Sequence, residues 1–144
     1  MLSPMDATLR RKWNELNAAH FYGRLVPPLN IEFVPSNFNP DRTDEFTRYF
    51  SDIRMIVIDE RFRFDPRLAA ARDPHENAKS EAATLLLLHG MVHQACDGQS
   101  DHDERYLDEA RRISKELGII PPRDAAKAHL WPYRVLRIIH DLGL

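Results

Sequence analysis

The chain has 144 residues, of which 43% are hydrophobic and 29% charged, with a formal net charge of −2. That length points to one domain spanning 1–144 with a core of its own, and the near-neutral balance excludes a global basic field that would recruit nucleic acid or an anionic membrane. A single cysteine, Cys96, excludes an internal disulfide and a four-cysteine zinc ribbon, while the opening MLSPMDATLRRKW carries no signal-peptide pattern and no run reaches the roughly 18 apolar residues of a membrane span, so a cytoplasmic protein without membrane contact is expected.

In chain order, residues 4–22 read as a helix, with Ser3 as N-cap, Pro4 at the first helical position and Asp6 at a capping-box spacing. Leu9, Trp13, Leu16 and His20 or Phe21 recur at helical intervals, and Gly23 ends the run. LNIEFV (29–34) reads as a strand and 35–45, rich in Pro, Asn and Asp, as a loop. FTRYF (46–50) and IRMIVID (53–59) read as two strands joined by a turn at Ser51–Asp52, which gives a small antiparallel sheet of about three strands. Residues 65–75, with Pro66 and Pro74, form a connector with room for a short helix at RLAAAR. Residues 76–96 give the strongest helix, with Ala78, Ala82, Leu85, Leu86, His89, His93 and Cys96 along one stripe and Asp97–Gly98 as its stop. A further helix spans 101–118, with Tyr106, Leu107, Ala110, Ile113 and Leu117 inward and Gly118 at its end. Pro121–Pro122 breaks the chain, and the remainder reads as one or two short helices interrupted near Pro132. Helix, small sheet, then helices is an α+β order.

The chemistry sits in LLLLHGMVHQACDGQSDH, residues 85–102. His89 and His93 stand four apart on the strongest helix, hence on one face, and His102 opens the next helix. Two imidazoles at that spacing with a third from a following segment match a zinc site holding one ion, with water as the fourth ligand. In the HExxH motif the residue after the first histidine is a glutamate that acts as general base; here it is Gly90. Glu81, Glu104 and Asp101 are conceivable substitute bases, and Asp97, Asp101, Asp103 and Glu104 are near enough in sequence to orient the ligand rings. The alternative for the histidines is a buried pair hydrogen-bonded to backbone, and for the acids a solvated turn and helix N-terminus.

These residues carry a resemblance to the SprT-like family of zinc metallopeptidase domains. His89-Gly-Met-Val-His93 resembles the family's HExxH helix, and His102-Asp-Glu-Arg-Tyr106 its H-G-x-x-F-like start of the next helix. WNELNAAHFYGRLVPPLNIEF looks like the family's opening and IRMIVIDERF like the strand ahead of the active-site helix, so the likeness covers roughly residues 8–120. It implies a zincin-like fold in which the small sheet packs with the N-terminal helix, the metal-binding helix and the C-terminal helices. It also implies zinc held by His89, His93 and His102, a protein or peptide substrate, and association with DNA in some members. Gly90 in place of the glutamate and Asp103 in place of a glycine depart from the pattern.

The expected function is therefore a zinc metallopeptidase scaffold, hydrolysing peptide bonds by zinc-activated water, inactive or strongly impaired because of Gly90; the alternative is a non-catalytic zinc-containing module that binds a protein or peptide. Trp131, Tyr133, Arg134 and Arg137 would suit a stacking surface but read better as an amphipathic helix with its aromatic packed inward. Arg10, Arg11 and Lys12 read as a solvated helix face, and Cys96 as a small buried residue rather than a ligand.

Overall fold

The computed structural model describes residues 4–38, 45–96 and 102–144. Helix α1 (Pro4–His20) buries Leu9 and Trp13, one turn apart. It stops where Tyr22 and Gly23 take positive φ angles of 58° and 69°, and the Gly23 N–H returns to the Asn17 carbonyl at 3.0 Å. Ser3, the expected cap, lies outside the described residues.

The strands are β1 (Asn30–Val34), β2 (Thr47–Phe50) and β3 (Met55–Asp59), in the order β1-β3-β2. β2 and β3 form the expected antiparallel pair, with Thr47 opposite Ile58 and Phe50 opposite Met55. The sheet as a whole is mixed rather than antiparallel, because β1 runs parallel to β3, Asn30 beside Met55 through Val34 beside Asp59. The cause is composition. β3 is the most apolar strand, and Ile56, Val57 and Ile58 are all buried, so it takes the centre and inserts between β2 and β1. The turn into it is longer than Ser51–Asp52 and runs to Arg54, at φ 49°.

Helix α2 (Pro66–Ala70) is the short helix within the connector, capped by Asp65, which accepts from the Arg67 and Leu68 N–H groups. Helix α3 (Pro74–Ala95) starts two residues before the expected Glu76. Pro74 is no breaker there: it occupies the first helical turn, where its missing N–H is harmless, and Asp73 caps by accepting from the Glu76 N–H at 2.9 Å. Helix α4 (Glu104–Leu117) is capped by Asp103 and ended by Gly118 at φ 68°. A 3₁₀ turn (Ala128–Leu130) and α5 (Arg134–Leu142) follow, with the break near Pro132 as expected.

α3 is the hub. It packs on β2 and β3 from one side and meets α1, α2, α4 and α5 from the others. Every residue from Leu86 to Val92 is buried, together with His93. A helix covered all round in this way needs no single apolar stripe. His89 and His93 are thereby carried into the middle of the fold.

Candidate metal centre

The i, i+4 spacing on α3 sets the His89 and His93 rings side by side, and the residues leading into α4 bring His102 against them. The His93 Nε2 lies 3.2 Å from the Nε2 of His89 and 3.2 Å from that of His102; the third edge, His102 to His89, is 3.3 Å. His89 and His93 are 2% and 6% exposed, and His102 is half-buried, so His102 is the most accessible of the three.

The protonation pattern follows from the partners. The Trp131 carbonyl, 2.7 Å from His89 Nδ1, can only accept, so Nδ1 carries the hydrogen and donates it. The Tyr106 hydroxyl stands 2.8 Å from the same nitrogen. His89 Nε2 is left with a lone pair facing the other two rings. Burial, reinforced by His93 and His102 alongside, holds His89 well below the ordinary imidazole range, so the ring is neutral. Burial likewise pushes the Tyr106 phenol well above its ordinary value and keeps it protonated.

Three ring nitrogens in a triangle cannot satisfy one another. Each is either a donor or an acceptor, so at least one edge sets two lone pairs or two N–H groups face to face. A cation among three lone pairs removes that conflict. Tetrahedral donors about 2.0–2.1 Å from an ion stand roughly 3.3–3.4 Å apart, close to the edges found. His89, His93 and His102 are thus close enough together to hold a metal ion.

Gly90 faces the sheet. A Cβ on it would sit 3.1 Å from Ile56 Cγ2 and 3.7 Å from Thr47 Oγ1, so the absent side chain lets α3 approach β2 and β3 closely. The Thr47 hydroxyl is committed to the Val57 carbonyl at 2.8 Å.

Among the described residues, the acids considered as bases or ring partners do not join the cluster. Glu81 pairs with Arg134 at 3.1 Å, Glu104 is exposed and 4.0 Å from Arg111, and Asp103 caps α4. Asp97 and Asp101 lie outside the described residues. Cys96 is buried at the C-cap of α3 and is not among the clustered donors. Trp131 is a core residue at 1% exposure, and Arg137 pairs with Asp141 at 3.2 Å, so the C-terminal aromatic and cationic residues divide between packing and ion pairs. Sequence reasoning missed Trp131 as the partner of His89, because a backbone carbonyl leaves no mark in residue type. It also missed His129, whose ring centroid lies 6.5 Å from that of His102. The Tyr106 hydroxyl was missed as well, because Tyr106 reads from sequence as part of the apolar face of its helix.

Comparison with protein-family models, curated proteins and solved structures finds no match to this chain. Among the described residues, no helix is long and apolar enough to cross a membrane.

Proposed function

We propose that this domain binds one zinc ion through His89, His93 and His102 on a zincin-like scaffold of SprT-like type, and that its hydrolytic capacity is absent or strongly impaired. The observation that supports it is the triangle of imidazole nitrogens with edges of 3.2–3.3 Å. Three imidazole nitrogens, two from α3 and one from the residue just ahead of the α4 cap, suit zinc and leave one position for water. When bound, the metal supplies Lewis acidity, polarising a carbonyl and lowering the pKa of water towards about 7. The chain's own share is to hold and orient. His89 is locked by the Trp131 carbonyl, and His89 and His93 are buried.

Peptide hydrolysis also needs a group to take the proton of the attacking water and pass it to the leaving amine. Gly90 supplies none, and a missing positioned base costs about 10²–10⁴-fold in rate. The packing of Ile56 against Gly90 favours the second reading: a non-catalytic module that holds a protein or peptide beside the metal without cutting it. Association with DNA rests on the resemblance, and a cytoplasmic setting on the single cysteine.

Elemental analysis of the purified, tag-free chain decides the first point. One zinc per chain, lost in His89→Ala, is expected; a metal-free, folded protein would remove the proposal. Gly90→Glu then separates the two readings. Protein cleavage by that variant supports the peptidase lineage, and zinc binding without cleavage supports the binding module.

A further inference from the structure

The carbonyl that orients His89 belongs to a residue far from it in sequence, and that residue is itself anchored. The Trp131 indole Nε1–H donates to Ser114 Oγ at 2.9 Å, and both residues are only 1% exposed. The Trp131 backbone N–H is held too, by the Ala128 carbonyl at 3.1 Å. Ser114 is a polar residue on the buried face of α4, beside Tyr106, Leu107, Ala110 and Ile113. A buried hydroxyl is costly without a partner; this one accepts from the indole. Two turns earlier on the same helix, Tyr106 sets its hydroxyl against His89 Nδ1. One chain of contacts therefore runs from α4, through the indole, to the carbonyl that fixes the first ligand ring.

Resting on the metal-binding reading above, we infer that Ser114 and Trp131 are positioning residues of the metal centre: by keying the indole, Ser114 fixes the carbonyl that holds the His89 ring, and so sets the affinity and geometry of the metal. The hydrogen donated from Nδ1 to that carbonyl settles the tautomer and raises the basicity of Nε2. Partners of this kind usually change metal affinity by about 10–100-fold when lost.

The test uses the full chain with Co²⁺ as probe, reading affinity by chelator competition and site geometry by the visible absorption of the bound ion. Ser114→Ala and Trp131→Phe each remove the indole anchor, one from either side. Both are expected to weaken Co²⁺ binding about tenfold or more and to alter its absorption, and Ser114→Thr, which keeps a hydroxyl, is expected to recover both. Folded variants that bind Co²⁺ with wild-type affinity and spectrum would overturn the inference. Should the variants not fold, hydrogen exchange at the Trp131 Nε1–H of the wild-type protein decides: slower exchange on Co²⁺ loading supports the coupling and unchanged exchange refutes it. A wild-type chain that takes up no Co²⁺ removes the underlying metal reading, whereas wild-type binding with unaffected variants removes this inference alone.

Discussion

A glycine inside a helix costs about 1 kcal/mol relative to alanine, and at position 90 the surroundings explain why it is there. A Cβ would come within 3.1 Å of Ile56 Cγ2, so any larger residue must move a fully buried side chain. Gly90→Glu is therefore expected to lower stability by roughly 1–3 kcal/mol, the usual cost of overpacking. Ile56→Leu shifts the branch away from Cβ at constant volume, and adding it to Gly90→Glu is expected to recover part of that loss. Denaturant unfolding of both single variants and the double variant measures the coupling. Strictly additive effects would show that the Ile56 methyl is not the obstacle.

At the scale of elements, the turn leaving β3 depends on one carboxylate. Asp59, with no exposed surface, accepts from the Arg61 N–H, the Arg61 guanidinium and the Ser36 hydroxyl at 2.8–2.9 Å. Burial alone would raise its pKa, but these donors outweigh it and the net shift is downward from the ordinary 3.8. A carboxyl depressed in the folded state stabilises the fold above its ordinary pKa, and that contribution is lost as pH falls through the folded-state value. Asp59→Ala is expected to cost about 3 kcal/mol near neutral pH, and the difference from wild type is expected to shrink under acid unfolding below about pH 4. A constant difference across that range would contradict the assignment. Asp73→Ala removes only a helix cap and is expected to cost about 1 kcal/mol in thermal or denaturant unfolding.

For the whole molecule, α3 joins metal chemistry to stability, because the ligand-bearing turns are also the centre of the core. A ligand that binds only the folded chain stabilises it by about 2.7 kcal/mol at a hundredfold excess over its Kd, which in a domain of this size is a rise in Tm of roughly 5–10 °C. Zinc is expected to produce such a rise in the wild-type chain, a chelator to reverse it, and His93→Ala to abolish it. The bundle is also tied across its outer side: Arg112 pairs with Glu109 and Glu116, and it donates to the His20 carbonyl at the end of α1. These groups are partly exposed, and such contacts are worth little individually.

The sequence by itself determined what periodicity and local chemistry carry: the α+β order, the helix holding His89 and His93, the return of His102 at the head of the next helix, and the core roles of Leu9, Trp13 and Leu86. Those features depend on neighbours within a few residues, which the chain states directly. Tertiary structure decided what depends on distant partners. It placed β3 in the middle of the sheet with β1 parallel to it, because the most apolar strand must be covered from both sides. It closed the histidines into a triangle, packed Ile56 against Gly90, and brought the Trp131 carbonyl to His89 across 42 positions of sequence. A carbonyl is the same in every residue, so only the folded chain reveals which one orients the ligand.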